Sequence, residues 1–192
     1  MIFSAPNNDL KYHEHIRFTS NIPMACPRCV ELPDAHSFTY FGKMNDISLY
    51  YTSPARAHDF KENAQTYSYY KNHVDSAKPG PWIWVIDCAG MKIKHYSSLE
   101  ITRKLIQMLM AEHKGILQSI WIVHPNAWMR TTINVMKPFL KAETLSKIKL
   151  LEGERTELYV GLEKAGLSGR PLQWLNTVFV SPQVPGPLPP IS

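Results

Sequence analysis

With 192 residues, 44% of them hydrophobic and 19% charged, the chain is long enough for one domain with a full core and too apolar for a disordered one. No apolar stretch nears the roughly 18 residues of a membrane span. The start, MIFSAPNNDLKYHEH, lacks a basic region followed by an apolar run, so no signal peptide is expected. The net charge of +5 is uneven: ten Lys or Arg face only three Glu between Gly90 and Leu150, which suits an anionic partner as well as a plain solvated face.

Residues 1–36 are polar, with scattered Pro, Asn and His, and read as an irregular N-terminal arm with one short element at most. From Ser37 the run SFTYFGKMNDISLYY sets aromatic and β-branched residues around a polar, Gly-containing turn, which predicts a hairpin. HDFKENAQTYSYYKNHVDSA predicts a helix ended by KPGP. WIWVID is a short apolar run bounded by Pro and Gly, the pattern of a strand buried on both faces. SSLEITRKLIQMLMAEHKG predicts a helix capped by Ser97 or Ser98 and stopped at Gly115.

ILQSIWIVHP is a second buried strand. It is followed by a helix from Asn126 to Leu140, a strand at KIKLL and a helix at GERTELYVGLEKAG. Strands alternating with helices predict an α/β layer fold around a central, mostly parallel sheet. The domain is expected over residues 37–180. SPQVPGPLPPIS at 181–192 has five prolines and reads as a flexible tail.

The helix from Asn126 is unusual. At about 100° per residue, Trp128, Val135 and Phe139 fall on one side and Met129, Ile133, Met136 and Leu140 beside them. Together they span roughly 160°, against the ~100° stripe a core normally covers. The helix from Leu99 is also broadly apolar, with Met108, Leu109 and Met110 in succession. Methionine is flexible and polarisable, which suits a surface that fits ligands of variable shape. Ordinary core packing produces such stripes too.

The order of WIWVIDCAGM, a long helix, SIWIVHP, a helix ending KPFL, and TLSKIKLL resembles the CRAL-TRIO lipid-binding domain family. The matching pieces are the strand ending at Asp87 with Gly90 after it, the strand before Pro125, Lys137 to Leu140, and Ser146 to Ile148. HPNAW and VMKPFL are closest in wording to the branch found in Rho GTPase-activating proteins and BCH domains. The resemblance covers about Ser37 to Leu175 and is specific from Trp82 to Leu151.

It implies a sheet-floored apolar pocket under a mobile gate helix at Asn126–Leu140. Trp128, Met129, Ile133, Met136, Phe139, Leu140 and Met108 would contact lipid. It also implies a headgroup phosphate held by Thr144 and Lys147, since a hydroxyl and an ammonium together bind phosphate. The family's acidic residue ahead of the gate strand has no counterpart here, with Lys114 near its place. The helical lobe at the start of many members has no match in residues 1–36.

The expected function is binding a lipophilic ligand, above all a phospholipid with phosphoinositides among the candidates, and transferring or presenting it at membranes. The expected partners are that lipid and, transiently, an anionic membrane surface, with a cytoplasmic, reversibly membrane-associated location; nucleic acid is not expected. The alternative is an interaction module of the BCH type that docks a small GTPase or its regulator.

No catalysis is expected, because GxGxxG after a strand, a P-loop, GxSxG and HExxH are all missing. Cys88 reads as an inert core thiol and His124 as a packing residue. CPRC, from Cys26 to Cys29, has the spacing of half a zinc site, with His13, His15 and His36 near in sequence. Tetrahedral zinc takes four ligands and no second CxxC exists. Two reduced thiols are therefore expected, in keeping with an odd cysteine count, with no metal and no cofactor.

Overall fold

The computed structural model describes residues 26–59, 62–96 and 98–181. Residues 1–25, with His13 and His15, and the tail from 182 onward lie outside the described residues. Five strands form one sheet in the order β1-β2-β3-β4-β5: Thr39–Met44, Ile47–Thr52, Trp82–Asp87, Leu117–Val123 and Ile148–Leu151. The first pair is antiparallel and every later pair parallel. The expected α/β fold, with a mostly parallel central sheet between helices, is what the chain adopts.

The hairpin forms where expected, but its turn is Asn45–Asp46, both at positive φ (46° and 62°). That is the two-residue turn whose twist matches flanking strands. Gly42, at φ 133°, instead sits at the register shift between Tyr40 and Gly42, where the strand bulges.

Strand order and helix placement follow from one rule. Successive parallel strands joined by right-handed crossovers put each connection on the same face. Helices α2 (Thr66–Asp75), α3 (Leu99–Glu112) and α4 (Ala127–Met136) are those connections. The other face is covered by α6 (Arg155–Lys164) and α7 (Gly169–Val180). Side chains alternate accordingly along each strand. Ile83, Val85, Trp121 and Val123 join the core with Leu162, Trp174 and Leu175. Trp82, Trp84, Ile86, Ile120 and Ile122 face α2, α3 and α4.

Several predicted elements are trimmed. The helix predicted over His58–Ala77 spans only Thr66–Asp75. The helix predicted to Leu140 is α-helical to Met136, then tightens to a 3₁₀ turn at Lys137–Phe139. Pro138 lacks an N–H and crowds the preceding turn, which ends the α-helix there. The polar link after it holds a one-turn helix α5, Ala142–Ser146. Residues 26–36 include helix α1 (Pro27–Glu31), the kind of short element allowed for in the N-terminal arm. That segment is docked on the domain: Arg28 Nε donates to Asp59 Oδ2 at 2.9 Å, and Ala35 is fully buried.

Candidate ligand pocket

A cavity of about 280 Å³ opens between the crossover face of the sheet and helices α3 and α4. Ile86, Ile120, Ile122 and Ile148 floor it, Leu105, Ile106 and Leu109 of α3 form one wall, and Met129, Ile133 and Met136 of α4 roof it. Its lining is mainly aliphatic, with a polar end at His36, Tyr70 and His73. Such a space excludes water from its floor and rewards a ligand that brings apolar surface.

The structure divides the wide arc of α4 in two. Met129, Ile133 and Met136, with Leu140 just beyond the helix, line the cavity. Trp128 and Phe139 do not: they are 52% and 58% exposed, with Val135 exposed beside them on the outer edge. Met108 is also outside the lining, buried in the core beneath α3.

Thr144 and Lys147, half-buried, are not among the lining residues. The Lys147 ammonium donates to the carbonyls of Lys114 at 2.6 Å and Leu117 at 2.8 Å. Sequence reading anticipated a sheet floor and an apolar helix from Leu99, but it named neither the floor residues nor Leu105 and Ile106, and it did not place the polar end in the pocket. The signal for the floor lay in the apolar runs of β3 and β4.

Helix α4 is anchored at its N-terminus. Asn126 caps it: its Oδ1 accepts from Met129 N at 3.0 Å and from the Tyr96 hydroxyl at 2.6 Å. Its Nδ2 donates to Met91 O at 3.1 Å, tying the cap to the loop after β3. On the outer face Arg130 pairs with Glu152 at 2.6 Å. Losing the cap costs a helix about 1 kcal/mol. Asn126→Ala is therefore expected to raise amide hydrogen exchange in α4 selectively, leaving β3 and β4 protected.

Cys88 and His124 do not form a reactive pair. Burial, with Asp87 adding, pushes the Cys88 thiol up to about 12. His124 Nδ1 instead bonds Asp87 Oδ1 at 2.9 Å. Asp87 also accepts from the Tyr51 hydroxyl at 2.7 Å and from the Ala89 N–H at 2.9 Å.

At the polar end, Cys26, Cys29, His36 and His73 converge, their donor atoms all within 4.8 Å of one another. His36 Nδ1 lies 3.7 Å from each of the two sulfurs, and His73 Nε2 lies 3.3 Å from the Cys29 sulfur. Burial, then the neighbouring His36, lowers His73 to about 4, and burial lowers His36 as well, so both rings are neutral near pH 7.

Comparison with known proteins bears on this geometry. The sequence profile described as "CRAL/TRIO domain" matches residues 62–165, more than half of the chain. A comparison with curated proteins gives no match. Among solved structures, one titled "Crystal structure of Sfh5" is similar, with a TM-score of 0.51 and 12% identity over 63% of this chain and 50% of that one. At that identity the likeness speaks for the fold, and this chain spans about half the length of that structure. None of these matches singles out the branch of Rho GTPase-activating proteins and BCH domains.

Proposed function

The chain belongs to the CRAL/TRIO domain family, and from that premise we propose that it binds a lipophilic ligand in the cavity under α4. The ligand class the surface favours is a phospholipid, presented or transferred at membranes without catalysis. The observation that carries this reading is the split arc of α4. Met129, Ile133 and Met136 face an apolar cavity, while Trp128, Val135 and Phe139 are exposed to solvent on the same helix. A helix that served only as core has no use for the second row.

The exposed row has basic company. Lys137 and Lys141 are exposed around Phe139, and the exposed Ile93 sits between exposed Lys92 and Lys94. Apolar side chains flanked by lysines suit the interface of an anionic bilayer, where rings insert and ammonium groups stay at the headgroups. The cavity, at about 280 Å³, lies just under the ~300–1,000 Å³ of pockets that take drug-sized ligands. A two-chain phospholipid therefore enters by outward movement of α4, which a membrane contact on its outer edge would favour.

The test is exchange. The protein is incubated with vesicles of radiolabelled phosphatidylcholine or phosphatidylinositol, then re-isolated. Close to one labelled lipid per chain is expected. If neither lipid is retained, the alternative of a module docking a small GTPase becomes the better reading. Trp128→Ser with Phe139→Ser is expected to weaken vesicle flotation by about tenfold or more, because each ring contributes up to ~1.5–3 kcal/mol when fully buried. Unchanged flotation would show that the exposed row is not the docking edge.

Headgroup recognition by Thr144 and Lys147 is the finer part of the proposal. With two of its three donors already on carbonyls, Lys147 has one left for a phosphate. Lys147→Met is expected to weaken anionic lipids more than neutral ones, on top of a Tm loss common to both from stripping partners from two carbonyls. An equal loss for neutral and anionic lipids would leave Lys147 a structural role only.

A further inference from the structure

The cluster at the polar end of the cavity stands independently of what the cavity holds. Its four residues come from three places in the chain. Cys26 is the N-cap residue of α1 and Cys29 lies inside it, His36 sits in the turn before β1, and His73 is in the last turn of α2. Cys26 and His36 are only 3% and 7% exposed. We propose that Cys26, Cys29, His36 and His73 bind one zinc ion in a closed tetrahedral site that ties α1 to α2.

The donor set is two thiols and two imidazoles, a common set for structural zinc, and it leaves no open position for substrate. The spacing fits as well. With Zn–S of about 2.3 Å and Zn–N of about 2.0 Å, a tetrahedron sets sulfur and nitrogen ligands roughly 3.5 Å apart. The three distances here are 3.7, 3.7 and 3.3 Å.

A metal-free network explains the arrangement less well. His36 Nδ1 faces both sulfurs at the same distance; without a metal Cys29 would turn to His73 Nε2 or the His36 carbonyl, which leaves its approach to His36 Nδ1 unused. A single cation satisfies all four donors at once. It also gives α1 a reason to exist, because a five-residue helix is too short to hold its own hydrogen bonds in water. The consequence is local: zinc would fix the segment 26–36 against α2 and so set the polar end of the cavity, where His36 and His73 lie.

The full chain, purified without chelator from zinc-supplemented culture, should carry one zinc per chain by elemental analysis. After chelation under reducing conditions, Co²⁺ should give the intense visible bands of a tetrahedral site with thiolate charge transfer, and Zn²⁺ should abolish them. Cys29→Ser and His73→Ala should each lose these signals, while Cys88→Ser keeps them. Should the first two variants fail to fold, thiol labelling of the wild-type chain decides: two of its three cysteines should be protected by zinc and released by chelator. The proposal is overturned if the zinc-loaded, desalted chain holds no metal, if Co²⁺ gives only the weak bands of an octahedral ion, or if Cys26 and Cys29 are found as a disulfide or label equally with and without zinc.

Discussion

Met136→Asp is expected to abolish lipid retention while leaving the chain folded. Met136 is 4% exposed and its side chain lines the cavity from the roof. A carboxylate there has no partner if an acyl chain fills the space, and burying it uncompensated costs several kcal/mol. Retained lipid should therefore fall by about a hundredfold or more. In the empty protein the same carboxylate can be hydrated within the cavity, so Tm should fall less than for a charge placed in the solid core at Val85. Met136→Leu keeps volume and apolarity and should retain lipid near the wild-type level. If Met136→Asp unfolds the chain outright, Met136 is ordinary core and not the roof of a ligand pocket.

The second large effect is expected at Asp87, which supports the C-terminal end of β3 beside the cavity floor. Burial alone would raise this carboxyl, but hydrogen bonds from His124 and Tyr51 and from the Ala89 N–H outweigh it and hold the group below its ordinary value. Asp87→Ala would leave the Tyr51 hydroxyl, itself deeply buried, without its acceptor. A loss of about 3 kcal/mol is expected for breaking such a buried charged network, or roughly 6–12 °C in Tm for a chain of this size.

The pH dependence has a definite sign. A carboxyl depressed in the folded state contributes its full stabilisation above its unfolded pKa of about 3.9, and loses it as pH falls through the lower folded value. Asp75 acts in the same direction: burial would raise it, but bonds from Lys71, Lys78 and His113 lower it. Stability measured by urea titration should thus begin to fall below about 6.5, where His73, His36 and His113, all lowered by burial, take up protons more readily in the unfolded chain, and a further acid limb below ~4 should follow as the carboxyls protonate. Asp87→Asn should flatten that acid limb, and an unchanged limb would place the acid sensitivity elsewhere.

Much of the fold was legible because β3 and β4 advertise themselves. WIWVID and SIWIV are apolar at nearly every position, a pattern that only a strand covered on both faces tolerates. The hairpin was legible from its aromatic residues, but its turn was not. Gly42 drew attention, whereas Asn45–Asp46 makes the bend. Helix α7 escaped notice even though Leu172, Leu175 and Val178 recur at helical spacing and all are buried. Its Pro171 falls in the first turn, where proline is well tolerated.

The cavity roof was half legible. Helical periodicity put Met129, Ile133, Met136 and Leu140 together, but it could not say which side of a 160° arc turns inward. Trp128 and Phe139 accordingly went to the ligand when they face solvent. Met108 was misplaced for the same reason, since a helix wheel does not reveal how deep a side chain lies. Three of the four cluster residues, Cys26, Cys29 and His36, were legible together as part of a zinc site, but the fourth was not. Half of it stands in CPRC, but the histidines nearest in sequence include two outside the described residues. The decisive one, His73, lies 44 positions from Cys29 and is brought there only by the docking of α1 on α2.

The central claim is that the space under α4 holds a lipid. Organic-solvent extraction of the purified chain, followed by mass spectrometry of the extract and native mass spectrometry of the protein, tests it most directly. The expected result is a lipid in near one-to-one ratio with the wild-type chain, absent from Met136→Asp and present in Met136→Leu. A wild-type chain whose native mass equals that of the bare polypeptide plus any bound metal, and which acquires no lipid on incubation with vesicles, would contradict it.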